Sequence, residues 1–241
     1  MGIPTQREAV TRRHLLEAAG EVFADKGYRD ATIRDICRRA GANVAAVNYH
    51  FGDKAALYAA VLADLSEIAR ERFPITLDLP PDATPQERLH AFVRSFLWRV
   101  LSSDLAARHG RLMAREMVEP TGALDRLVEE RIRPDAEALR GIIADILGPD
   151  APRDQVRLTG LSVVGQILFY SHCSPVLSRL FRDEAFDVTR LERLADHITT
   201  FSLAAMDGLT GRALTAAAPP SVPRKSRGKI APQPRRQRRT A

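Results

Sequence analysis

Apolar residues recur along nearly the whole chain at the three- and four-residue spacing of a helix packed on one face. Leu15, Ala18, Ala19, Val22 and Phe23 form the first such stripe, and Gly27 ends it, with Tyr28 as a hydrophobic closure. Two short segments follow. Thr32 is placed to cap a helix over Ile33 to Ala40, Gly41 supplies the left-handed residue that stops it, and Asn43 caps a second helix over Val44 to His50. Two short helices around a glycine turn make the helix-turn-helix plan, whose second helix enters the major groove of DNA.

The later segments keep the same period. Asp53 caps a helix through Leu57, Val61, Leu65 and Ile68 to about Arg72, and Pro74, Pro80, Pro81 and Pro85 mark a loop. Thr84 caps a helix with Leu89, Phe92, Val93, Phe96, Leu97 and Val100, and another covers about Leu105 to Val118 until Pro120-Thr121-Gly122. Ala123 to Leu147 is helical with Pro134 inside it, which predicts a kink or a break. Asp154 opens an apolar helix to about His172. Pro175 ends it, a short turn holds Val176 to Phe181, and Asp187 to Leu209 is the last helix. No strand alternation occurs, so the expected fold is all-α: a three-helix head at residues 1–54, a helical domain at 55–212, and a tail at 213–241.

Charge sharpens this division. Residues 219–241 carry eight Lys or Arg and no acid, residues 1–54 carry nine against seven, and residues 55–218 carry 19 against 23. The formal net charge of +6 is thus concentrated in the head and tail, as in a regulator with a separate domain that does not touch DNA. The tail, rich in Pro, Ala, Arg and Lys, has little to bury and is expected to be disordered; polyanion binding and simple solubilisation both fit it. Two cysteines, Cys37 and Cys173, are too few for a disulfide framework, and no apolar run reaches a membrane span. A cytoplasmic protein without membrane contact is expected.

Catalysis finds little support. His109, Glu116 and Glu119 share roughly one helical face, but such groups more often pair with neighbouring arginines, here Arg111 and Arg115. His172-Cys173 reads as a helix end. No phosphate loop, nucleotide fingerprint or paired-Cys motif is present, so no enzyme, cofactor or metal site is expected.

The head resembles the TetR family of bacterial transcription regulators. The matching features are the Leu15-to-Phe23 helix, Gly27-Tyr28, Thr32-Ile33-Arg34-Asp35-Ile36, Ala40-Gly41 and Tyr49-His50-Phe51 followed by Lys54. Asn43 to Gly52, Arg115 to Thr121, Asp125 to Glu130 with Arg133-Pro134, and Gly165-Gln166 with Phe169-Tyr170 resemble the CecR-like branch. The two resemblances cover about residues 8–210 and leave the tail aside.

The resemblance implies a homodimeric, ligand-responsive repressor on a palindromic double-stranded DNA operator. It would put Val44, Ala45, Ala46 and Asn48 at base edges, where Asn suits adenine and small apolar groups suit thymine methyls, with Arg34 directed at guanine. Tyr49, His50 and Lys54 would bind phosphates, aided by the Thr32 hydroxyl. Val47 and Phe51 turn inward by their spacing from Val44, while Arg38 and Arg39 fit either a solvated face or a DNA contact. Many family members have an aromatic residue where this chain has Asn48, so their base preference does not transfer. The last two long helices would form the dimer surface. A small hydrophobic or drug-like effector would sit among Phe92, Phe96, Trp98, Leu112, Met113, Met117, Ile143, Phe169 and Tyr170. The alternative is a regulator switched by a protein partner or by oxidation of Cys37.

Overall fold

The computed structural model describes residues 6–76, 79–102, 104–181 and 187–210, with the side chains of 104–107 left aside. Every element in those residues is helical, and no helix among them is long and apolar enough to cross a membrane. The expected tail, 213–241, lies outside the described residues. The helices are α1 (Gln6–Asp30), α2 (Ile33–Ala40), α3 (Val44–Phe51), α4 (Lys54–Arg72), α5 (Pro85–Leu101), α6 (Asp104–Val118), α7 (Gly122–Leu127), α8 (Arg133–Leu147), α9 (Arg153–His172), α10 (Ser174–Leu180) and α11 (Val188–Leu209).

Two cores organise them. The first gathers Leu15, Ala19 and Phe23 of α1, Ile36 of α2, Val47 of α3, and Leu57, Tyr58, Val61 and Leu62 of α4. Leu112 of α6 and Ala123 of α7 enter the same cluster. The head is therefore sealed by helices that follow it in sequence. Tyr58 meets Phe23 and Tyr28 with ring centroids 4.9 Å away in each case. The second core packs Leu89, Phe92, Val93 and Leu97 of α5 against Leu139, Ile142 and Ile143 of α8, Val163 and Ile167 of α9, and Leu191, Ala195 and Ile198 of α11.

Polar ties join the two. Arg99, buried on α5, donates to the Phe73 carbonyl at 2.8 Å and to Asp135 of α8 at 2.8 Å, and Arg70 of α4 reaches the same carboxylate at 3.3 Å. His109 of α6 packs beside Ser66 of α4, Nε2 to Oγ 3.1 Å. Ser66 spends its hydroxyl proton on the Leu62 carbonyl at 2.8 Å, so the imidazole donates and carries its proton on Nε2. Burial pushes the His109 pKa down to about 4.

The expected interruption near Pro134 is present, and two other local expectations change. A π turn over Val128–Ile132 joins α7 to α8, and Pro134 falls in the first turn of α8, where a missing N–H costs least. Val176 to Phe181 is not a bare turn: helix α10 starts at Ser174 with Pro175 in its first turn. Asp154 does not open α9; Pro152 precedes the helix, and Asp154 pairs with Arg157 at 2.5 Å from within the first turn.

Leu112→Ala removes a fully buried side chain from the first core, and a loss of about 2–5 kcal/mol in urea unfolding is expected. His109 gives a pH signature. Its folded pKa lies below the unfolded value of 6.5, so the unfolded chain binds the extra proton and stability falls as pH drops from 6.5 toward 4. His109→Gln should flatten that limb in urea midpoints measured across the window.

Candidate nucleic-acid interface

Neither α2 nor α3 has the length to hold itself, so their caps matter. Thr32 Oγ1 accepts from Asp35 N at 3.1 Å, Asn43 Oδ1 from Ala46 N at 2.8 Å, and Asp53 Oδ1 from Ala56 N at 2.8 Å. Gly41 takes φ +63° and lets the chain reverse between α2 and α3, with the Ala42 N–H returned to the Cys37 carbonyl at 3.0 Å. Ile36, Cys37 and Val47 anchor both helices in the first core. Asp35 ties the corner together: it binds Lys26 at 2.9 Å, Thr32 at 2.8 Å and Arg38 at 2.5 Å, and these donors hold its carboxyl far below the usual range.

The outward face of α3 carries Val44, Ala45, Asn48 and Tyr49, the last 73% exposed. Arg34 of α2 is exposed and has no recorded partner among the described residues. Thr32 is exposed and His50 half-buried, its ring 5.0 Å from that of Tyr49. Ala46 is half-buried and leans on the first core. Phe51 is half-buried beneath the Arg12 guanidinium at 5.2 Å. Lys54 departs from a free surface cation: Nζ donates to the Arg29 carbonyl at 3.0 Å and lies 4.8 Å from the Tyr28 ring centroid. Arg38 is paired with Asp35 and Arg39 with Glu21, so Arg34 is the unpaired cation of α2.

A groove of about 400 Å³ runs between the start of α1 and α3, lined by Arg7, Glu8, Thr11, Asn43, Ala45, Ala46, Tyr49 and His50. Tyr49 donates its hydroxyl to Glu8 Oε1 across it at 3.0 Å. Arg7, Glu8 and Thr11 were not legible as site residues, because only the packing of α1 against α3 brings them there.

Other candidate groups disperse. Of the effector set, Phe92 and Ile143 are buried in the second core, and Phe96, Trp98 and Tyr170 lie half-buried against it. Leu112 and Met113 belong to the first core, while Met117 and Phe169 are each 52% exposed. The nine residues therefore do not line one space. His109, Glu116 and Glu119 also separate, and Arg111 and Arg115 are not their recorded partners. Glu116 is buried, accepting from Thr121 N at 3.1 Å; burial and this carboxylate hold the Tyr58 phenol above its ordinary pKa, while Glu119 pairs with Arg29 at 3.4 Å. Cys37 is buried, and burial pushes its thiol pKa up.

Comparisons with known proteins agree with this geometry. The family model described as bacterial regulatory proteins, tetR family, matches residues 15–61, and that of the C-terminal domain of the HTH-type transcriptional dual regulator CecR matches residues 85–206. The chain is 28% identical to the HTH-type transcriptional dual regulator CecR of Shigella flexneri over 217 residues, 84% of this chain and 94% of that protein. Its fold is similar to that of FadR from Bacillus subtilis, solved in complex with stearoyl-CoA (TM-score 0.60, 16% identity, 80% of this chain and 97% of that one). It is also similar to AibR, solved with isovaleryl coenzyme A and operator DNA (TM-score 0.59, 20% identity, 79% and 97%). With a capped helix-turn-helix in the head and a CecR-type domain behind it, the chain belongs to the TetR family of bacterial regulators and is a DNA-binding transcriptional regulator rather than an enzyme.

Proposed function

We propose that the protein is a homodimeric repressor that binds a palindromic operator in the cytoplasm and is released by a small effector with a hydrophobic body. The observation that carries the DNA half is the exposure of Val44, Ala45, Asn48 and Tyr49 on α3, with Thr32 and Arg34 exposed at the start of the preceding helix and His50 half-buried beside Tyr49. Asn48 and Arg34 have the donors and acceptors to read base edges, and the flanking groups suit phosphates, which fix register without specifying sequence. Lys54 joins the phosphate set if DNA draws it from the Arg29 carbonyl. The tail, with eight cations, favours polyanions of any sequence.

The effector half rests on how the domains join. Arg115 of α6 lies over Gly27, where the backbone takes φ +83°, and donates to the Asp25 carbonyl at 3.2 Å. A Cβ on residue 27 would sit 2.5 Å from that guanidinium. With Glu119 paired to Arg29 and Thr121 held on Glu116, the corner between α6 and α7 grips the end of α1. An effector that reshapes the half-buried edge around Phe96, Trp98 and Tyr170 would displace this corner, and the shift is bounded by its differential affinity for the two states. FadR and AibR were solved with acyl-CoA ligands, which supports an effector with an apolar acyl portion. Nothing in the burial of Cys37 favours the oxidation alternative.

Dimerisation is supported by apolar residues left uncovered on α9 (Leu158, Leu161, Phe169) and α11 (Phe201, Leu209). Such a patch suits a two-fold seam.

The deciding experiment is footprinting on DNA from the protein's own upstream region against random competitor. Protection of a palindrome is expected, and Asn48→Ala or Arg34→Ala should each cost roughly 1–3 kcal/mol of selective binding. Equal binding to any duplex, abolished by deleting residues 219–241, would remove the operator claim. Leu161→Glu with Phe201→Asp should halve the light-scattering mass from twice 26.7 kDa to one copy and abolish operator binding; an unchanged mass would place the seam elsewhere.

A further inference from the structure

The groove between α1 and α3 contains one group that does not suit a DNA-facing surface. Arg7, Tyr49 and His50 offer a cation, a hydroxyl and an imidazole, a set suited to an anion, while Thr11 donates its hydroxyl to the Arg7 carbonyl at 3.0 Å; yet Glu8 stands among them. A duplex presents about one negative charge per 1.7 Å of its axis, so a carboxylate here opposes docking on any sequence. We propose that Glu8 occupies the seat of a DNA phosphate: in the DNA-free chain it takes the Tyr49 hydroxyl, and docking requires a phosphate to displace it.

The exclusivity follows from the chemistry of the phenol. Tyr49 has a single hydroxyl proton, so it donates either to Glu8 or to a phosphate oxygen. The bond to Glu8 is formed, at 3.0 Å, between residues 41 positions apart, while the rest of the Tyr49 side chain is exposed toward the face where a duplex would lie. Glu8 and its hydrogen bond also hold the Tyr49 phenol above its ordinary pKa, as an anion in the phosphate position should. The seat is built from two elements, α1 supplying Arg7, Glu8 and Thr11 and α3 supplying Tyr49 and His50, so the phosphate would bridge them. Affinity for every duplex is lowered by the same factor, because the displaced bond and the repelled charge are independent of base sequence. This inference rests on the DNA-contacting role of α3 and names a residue that sets the strength of that contact.

The test uses the full chain as wild type, Glu8→Gln, Tyr49→Phe and the double variant. Glu17→Gln, an exposed acid on the opposite side of α1, serves as the charge control. Each is titrated by fluorescence anisotropy onto a labelled duplex carrying the footprinted site and onto a scrambled duplex of equal length. Glu8→Gln should bind both duplexes about three- to tenfold tighter, the scale of one unit charge near another in water. In the Tyr49→Phe background the gain should shrink to about half or less on the logarithmic scale, since the lock is already gone. Absorbance titration gives a reading that needs no DNA: the Tyr49 phenol, identified by subtracting Tyr49→Phe, should ionise at lower pH in Glu8→Gln. Unchanged or weaker binding by Glu8→Gln, an equal gain from Glu17→Gln, or equal gains in both Tyr49 backgrounds would overturn the proposal. A wild-type chain that binds neither duplex through its head would overturn the DNA reading, and this one with it. The phenol titration tells the two failures apart, because an unmoved phenol refutes the Glu8 bond alone.

Discussion

A three-helix head of this size cannot bury its own apolar face. Leu15, Phe23, Ile36 and Val47 converge from α1, α2 and α3, and they become a closed core only when Tyr58 and Leu62 of α4 and Leu112 of α6 cover them. Fully burying one leucine is worth roughly 1.5–3 kcal/mol, a large share of the stability of a small domain. The head is therefore closed by helices that follow it in sequence, and α6 among them also packs against α5 and α9 of the second core. That dependence makes regulation possible, since a packed core passes on a displacement instead of absorbing it. The grip of the α6–α7 corner on the end of α1 lies at this seam, and under the proposed mechanism a shift of Arg115 or Glu119 would act on the Gly27 turn.

Within that frame, the proposed reading face is specified by small local devices. Side chains from Thr32, Asn43 and Asp53 satisfy the first amide groups of three successive helices, and two glycines at positive φ set the reversals between them. Ion pairing then selects which charges remain available. Arg38 and Arg39 are taken by Asp35 and Glu21, while Arg34 is exposed with no such ion pair among the described residues. The same principle gives the groove at α1 its character: Glu8 accepts a hydrogen bond from Tyr49 of α3, the helix proposed to read DNA.

What the sequence made legible were features with local causes. Caps at Thr32, Asn43, Asp53 and Thr84, and the stop at Gly41, depend on residues a few positions apart and appear as expected. The all-α class follows from the unbroken helical period. Pro134 signals the interruption between α7 and α8, but its form, a π turn over the five residues before Arg133, is not legible from a proline alone. Lys54 on the Arg29 carbonyl, Glu119 on Arg29 and Tyr49 on Glu8 join positions far apart in the chain, and no spacing rule could anticipate them. The effector set shows the same limit. A helical stripe says that Leu112 and Phe92 are buried, but not that they are buried in different cores.

Hydrogen–deuterium exchange on the full chain, with and without the footprinted duplex, tests the central claim most directly, because it reports which amides the DNA covers. Slowed exchange across Val44–Phe51, extending to the first two turns of α1 and to the start of α2, is the expected outcome. Slowing confined to residues 219–241, with α1 to α3 unchanged, would contradict it: DNA would then be held by the basic tail, and the capped face of Arg34, Asn48 and Tyr49 would need another purpose.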